Sequence, residues 1–208
     1  VLGHVREIVL SVCPWSEGRW RLSRACLPGD ETIVLDLPTE ELILAGVRRV
    51  RDGGRVRRAV GGPRAVYRAV AGMPHDLSGL GVTERSVLQE LRRPRRVDEL
   101  CAQIFAPSEV VFRSLWALAI LGLVESTGPE NVPGPRADVD DVRGGLLDGV
   151  RSAPVLLLEL GDRKFTGVLR LFHGVHEGEI FLRDGLVEFA RTSDTELSLA
   201  ALRRRRGV

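Results

Sequence analysis

Residues 127–142 constrain this chain more than any other stretch. Gly128-Pro129, Pro133-Gly134-Pro135 and the acids Asp138, Asp140 and Asp141 leave too few apolar side chains for the segment to bury a core of its own. It reads as a flexible linker. The residues before and after it must therefore each complete a core, or share one.

The C-terminal side carries the clearest signals. Leu146, Leu147, Val150, Val155, Leu156, Leu157, Leu158 and Leu160 predict one apolar helical stretch, interrupted at Pro154 and ending near Gly161-Asp162. Three strand-like runs follow, at 166–173, 179–183 and 186–191. Only Asp184-Gly185 separates the last two, and Asp-Gly between apolar runs is a strong two-residue hairpin signal because both turn positions need positive φ. The first run places Leu169 and Leu171 on one face and Val168 and Phe172 on the other, so both faces carry apolar groups and something must cover the second. A helical pattern resumes at Thr195 and runs to Arg206.

The N-terminal side opens with Val1, Leu2, Val5, Ile8, Val9 and Val12 on one helical face, stopped by Pro14, which predicts a helix ending near Trp15. Arg19-Trp20-Arg21-Leu22-Ser23 alternates like a half-buried strand with Trp20 and Leu22 on one side. Ile33-Val34-Leu35 is a short apolar run. Pro38-Thr39-Glu40-Glu41 then starts a helix that is expected to end near Asp52-Gly53-Gly54. Residues 55–81, rich in Gly, Pro and Arg, match no element and read as a connector. Three short helical bursts, at 83–92, 97–104 and 108–121, close on Gly122-Leu123-Val124-Glu125 and resemble a small winged-helix-like unit.

Two stretches resemble a known family. Leu156-Leu157-Leu158-Glu159-Leu160, Thr166-Gly167-Val168-Leu169, Asp184-Gly185 and the strand ending at Ala190 follow the first half of a PATAN-like domain, a bacterial domain of unknown function often joined to response-regulator receivers. Its pattern is a Leu-rich helix, then Thr-Gly-Val-Leu, a strand reaching Asp-Gly and a strand ending in Ala. Trp15-Ser16-Glu17-Gly18-Arg19-Trp20-Arg21-Leu22, with Leu42-Ile43-Leu44-Ala45-Gly46-Val47-Arg48-Arg49, resembles the second half. Together with the winged-helix-like unit, the resemblance spans about two thirds of the chain. It implies an α+β protein in five parts: the C-terminal half of one copy at 1–60, a connector at 61–81, a winged-helix-like domain at 82–126, the linker at 127–142, and the N-terminal half of a second copy at 143–208. It further implies protein interaction and signal relay in bacteria, in a cytoplasmic setting, with other signalling proteins or a second copy of the chain as partners. The half-domains are expected to pair with complementary halves, within the chain or across a homodimer, through Trp20, Val168, Phe172 and Phe181.

Enzyme chemistry finds little footing. Lys164, the sole lysine, sits in Arg163-Lys164-Phe165, so no P-loop is present, and Gly79-Leu80-Gly81 is no dinucleotide fingerprint. There is no Gly-x-Ser-x-Gly elbow. Cys13, Cys26 and Cys101 are odd in number, lack Cys-x-x-Cys spacing and stand apart from any histidine, which argues against a disulfide framework, a thiolate zinc site and an activated nucleophile. His173 and His176 are set aside as metal ligands, because strand alternation places residues three apart on opposite faces unless the loop bends. No catalytic residue, cofactor or metal is assigned. Trp15, Trp20 and Trp116 read as core anchors.

Nucleic acid is the rival partner. Eight arginines stand against Asp52 alone between Arg48 and Arg68, and Arg203 to Arg206 form a further run. On a DNA-binding reading, Arg92, Arg93, Arg95, Arg96 and Arg113 are the contacts. The candidate recognition helix at 108–120 offers only Arg113 as a cation and no Asn or Gln to read a base edge. Overall charge is near balance at +2, and 44% hydrophobic with 28% charged residues is ordinary globular composition. No apolar run approaches the roughly 20 residues of a membrane helix. Opening at Val1 without methionine and closing at Val208 after a helix-like run, the chain reads as a fragment.

Overall fold

A computed structural model describes residues 2–24, 38–71, 79–127, 144–148 and 151–194. The expectations for Ile33-Val34-Leu35, for most of the linker and for the run beginning at Thr195 lie outside these residues. Among the described residues the chain is α+β, with seven helices and two antiparallel sheets.

In chain order the elements are α1 (Leu2–Val12), β1 (Gly18–Ser23), α2 (Thr39–Arg49), α3 (Gly53–Ala59), β2 (Val66–Ala69), α4 (Val82–Glu90), β3 (Arg95–Arg96), α5 (Val97–Gln103), α6 (Ser108–Ile120), β4 (Val124–Ser126), β5 (Gly144–Leu147), α7 (Ala153–Asp162), β6 (Gly167–His173), β7 (His176–Arg183) and β8 (Leu186–Thr192). The larger sheet runs β5-β1-β6-β7-β8, the smaller β3-β2-β4.

The two ends of the chain build one sheet. β1 pairs with β5 on one side and β6 on the other, so the N-terminal strand lies inside a sheet whose other members all follow residue 143. The strands on either side of residues 24–143 thus share one sheet within this chain. Its apolar face, formed by Trp20, Leu22, Leu147, Leu169, Leu171, Ile180, Leu182, Val187 and Ala190, packs under Val5, Ile8, Val9 and Val12 of α1 and Leu156, Leu157 and Leu160 of α7. A second core joins Val56, Val60, Tyr67, Leu91, Leu100, Leu115 and Leu118. Val56 and Val60 pack with the middle of the chain, and Val5, Ile8, Val9, Val12, Trp20 and Leu22 pack with the C-terminal strands.

Helix α2 joins the two. Leu42 enters the sheet core while Ile43, Leu44 and Val47 enter the other. Its start is set by Pro38, its acids Glu40 and Glu41 lie in the first turn and Arg48 and Arg49 in the last, each sign placed where the helix dipole favours it. At the crossing with α1, a Cβ on Gly46 would stand 2.4 Å from the sulfur of Cys13, so only glycine lets the helices meet this closely.

Three local expectations are corrected. Asp52-Gly53-Gly54 does not end α2 but begins α3, because the Asp52 carboxylate accepts a hydrogen bond from the Arg55 backbone N–H at 3.0 Å as an N-cap. The apolar stretch from Leu146 is two elements: Gly144–Leu147 is a strand, and Pro154, at the first turn of α7, opens the helix where an interruption was expected. Val66–Ala69, in the presumed connector, is the central strand of the smaller sheet. The Asp184-Gly185 hairpin forms as expected, with φ of 49° and 81°. Gly185 is doubly required, since a Cβ there would lie 2.5 Å from the Gly161 carbonyl oxygen at the end of α7.

Candidate functional site

Strand register assigns every side chain of the larger sheet to one of two faces, because directly paired residues in an antiparallel ladder point the same way. One face is the helix-covered core. The other carries three rows. The first is apolar: Ser23, Val168, Phe181 and Phe189. The second crosses all five strands as Gly144, Arg21, Arg170, Glu179 and Arg191. The third begins Leu146, Arg19, Phe172 and Glu177.

The middle row holds the charge. Glu179 is buried and bridges two arginines: Arg170 donates through Nε to Oε1 at 2.6 Å, and Arg191 through Nε to Oε2. Burial alone pushes this carboxyl up, yet the hydrogen bonds and charges of Arg191 and Arg170 outweigh it and hold Glu179 below the usual carboxylate range. Arg191, raised by the same contact, lays its guanidinium 5.6 Å from the ring centroid of Phe181, which in turn packs on Phe189 at 5.6 Å. Both arginines reach Glu179 through Nε, one from each neighbouring strand. Arg19 and Arg21 are exposed and make no ion pair among the described residues. Leu146, on the short edge strand β5, is 67% exposed beside them.

The expected docking residues fare unequally. Trp20 is 2% exposed, its indole lying over Gly145, and it belongs to the sheet core, leaving nothing for a partner. Val168 and Phe181 do lie on the outer face, but both are buried there, Phe181 beneath Arg191. Phe172 is half-buried next to Arg19. What the outer face presents is mainly guanidinium, a feature hidden in the sequence because Arg19, Arg21, Arg170 and Arg191 look like ordinary solvent positions until the register places them side by side.

Three of the expected nucleic-acid contacts are engaged within the protein. Arg95 pairs with Glu90 at 3.2 Å, and Arg96 pairs with Asp98. Arg113 donates to the Arg48 carbonyl oxygen at 3.1 Å. Arg92 and Arg93 are exposed. Helix α6 buries Val111, Phe112, Ser114, Leu115, Trp116, Ala117 and Leu118, with α3 packed on it and Arg55 and Arg57 over Trp116 and Phe112. The residues that α6 leaves exposed, Ser108 and Glu109, offer no cation to a phosphate.

His173 and His176 come closer than strand alternation predicts, because Gly174-Val175 forms a tight turn and sets them opposite each other. His173 stacks on Trp15 at 5.5 Å, and its Nδ1 meets the Glu17 carbonyl oxygen at 2.8 Å. Among the described residues no group of three His, Cys, Asp or Glu side chains is placed to hold a metal ion, and no helix is long and apolar enough to cross a membrane. Cys13 is buried, and burial pushes its thiol up to about 12. Compared with known proteins, the chain matches no family model, no curated protein and no solved structure.

Proposed function

We propose that this chain is a non-catalytic protein-interaction module of a bacterial signalling or regulatory protein, acting in the cytoplasm and docking partners through the outer face of its larger sheet. The observation that carries this reading is the row Arg21, Arg170, Glu179 and Arg191, set on the face opposite the helices and flanked by Leu146, Arg19 and Phe172. Arginine and aromatic groups on a rigid sheet are the composition of a contact surface. Helix α2, shared by both cores, gives that surface a mechanical link to the smaller sheet, as a relay module requires. The bacterial signalling context, and the other signalling proteins as partners, rest on the PATAN-like resemblance alone.

A photo-crosslinking amino acid at Leu146 or Arg19 tests this, with the same group at the exposed Val82 of α4, outside the larger sheet, as control. Discrete protein adducts at the sheet positions and none at Val82 support the docking face. Equal labelling at all three positions, or no adduct, ends it.

The competing reading, a DNA-binding regulator, draws on exposed Arg92 and Arg93. It predicts retardation of duplex DNA that persists at physiological salt and weakens when Arg96 or Arg113 becomes Ala. The burial of α6 speaks against it.

A further inference from the structure

Arg21 and Arg170 are direct cross-strand partners on the outer face of the larger sheet. Their Cβ atoms in such a pair stand about 4.5–5.5 Å apart, and like charges in this position repel. On its far side Arg170 is compensated by Glu179, but Glu179 already serves Arg191, so the row of three arginines and one glutamate carries a surplus of two positive charges. Arg19, two residues along β1, is a fourth arginine, and Glu177 in its row offsets it, so the two rows together keep a surplus of two positive charges. At the β5 end the row finishes in Gly144, which adds no side chain beside Arg21. Among the described residues, the charge fixed on this strand pair is not fully balanced.

We infer that this row seats an acidic segment of a partner protein, one carboxylate bridging Arg21 and Arg170 and a second reaching Arg19. The inference rests on the docking reading and gives the partner its chemistry. A guanidinium fork matches a carboxylate in geometry as well as charge. Single-stranded nucleic acid fits less well, because it needs open aromatic faces for stacking, whereas Phe181 is covered by Arg191 and tilted against Phe189. Duplex DNA is disfavoured by Glu177 and Glu179, which interrupt the positive field.

The test uses the full 208-residue chain and a fluorescent oligoglutamate peptide, read by anisotropy at low salt. Arg21→Gln is the main variant, since Arg21 is exposed and makes no ion pair among the described residues. It is expected to weaken peptide binding about tenfold, the size of one charge-assisted hydrogen bond. It should also raise the thermal midpoint of the free protein, because the repulsion with Arg170 is gone, an outcome opposite to that of a structural arginine. Arg170→Gln should weaken binding to a similar degree, and the paired change Arg92→Gln with Arg93→Gln should leave it unaltered. Absence of saturable binding, or equal loss in the Arg92 and Arg93 control, overturns the inference. So does tighter binding of duplex DNA through the same arginines, or self-association that Arg21→Gln abolishes. Crosslinking at Leu146 that captures proteins without any effect of Arg21→Gln removes the acidic seat and leaves the docking reading standing. Oligoglutamate binding that depends on Arg21, with no captured protein, shows an anion-binding row without a protein partner and overturns both the inference and the docking reading.

Discussion

Trp20 stands directly opposite Leu171 in the sheet, although the whole smaller sheet and its helices lie between them in sequence. The pair is the seam at which the N-terminal and C-terminal parts of the chain become one core. Its indole is covered by α1 and α7, lies against Gly145 and is capped by the Arg151 guanidinium 5.5 Å from the ring centroid.

Trp20→Ala should therefore destabilise the protein by about 3–5 kcal/mol, the range for emptying a large buried aromatic site. Chemical denaturation followed by circular dichroism measures this. Because β1 holds β5 in place, the loss should include protection of the β5 amides in hydrogen exchange before the smaller sheet is affected. A loss under 1 kcal/mol would mean that the seam contributes little.

Much of this arrangement could be read from the residues, and the misses have specific causes. Asp184-Gly185 announced its hairpin because the turn demands positive φ, a local requirement. Alternation in 19–23 and 166–173 placed Trp20, Leu22, Leu169 and Leu171 on one face correctly for the same reason. Gly53-Gly54 misled because a glycine pair usually ends a helix, and the Asp52 cap that reverses its meaning only matters once α3 finds α6 to pack against. Leu146-Leu147 was merged with α7 since a four-residue edge strand has too few positions to show a period of two. The arginine row could not be read at all: Arg21 and Arg170 meet only through a pairing that spans the chain, and no local pattern records it.

Gly46 is a close approach between α2 and the end of α1. In a helix interior, Gly→Ala ordinarily gains about 1 kcal/mol from propensity. Here the new methyl group would sit 2.4 Å from the sulfur and 2.9 Å from the Cβ of Cys13, in a site with no free volume. Overpacking of this kind costs about 1–3 kcal/mol, so the net effect of Gly46→Ala should be destabilising. Adding Cys13→Ala removes the sulfur clash and should shrink the penalty, a coupling that a double-mutant cycle of urea unfolding reads directly. Additive effects would show that α1 and α2 shift apart freely.

Glu179 makes the outer face sensitive to acid. Its folded-state pKa is depressed, so the stability it contributes is fully present above the ordinary carboxylate range and is lost as pH falls through the folded value. Glu179→Gln leaves Arg170 and Arg191 without their shared anion and should cost about 1–3 kcal/mol at pH 7. The difference between wild type and variant should narrow as pH falls below the ordinary carboxylate range toward the depressed folded-state value. Urea midpoints across pH 3 to 7 test the sign, and a constant difference would show that the triad adds nothing through charge.

Cys13 offers a probe of the joint between the cores. Its thiol is buried, donates to the Val9 carbonyl oxygen at 3.3 Å and is pushed up to about 12 by burial, against the smaller opposing pull of Arg49 and Arg55. At pH 8 its thiolate is about one part in ten thousand, and reagent has no path to it while α1 and α2 stay in contact. Cys101, half-buried on α5 and shifted upward mainly by burial too, is the more accessible of these two thiols. Timed alkylation with peptide mapping should modify Cys101 first and Cys13 only at the rate at which the α1–α2 crossing opens. Sub-denaturing urea should accelerate Cys13 labelling, and Trp20→Ala should do the same in buffer, since both loosen the sheet that α1 covers. If Cys13 reacted in the native protein as fast as Cys101, the two helices could not be the closed contact that binds one core to the other.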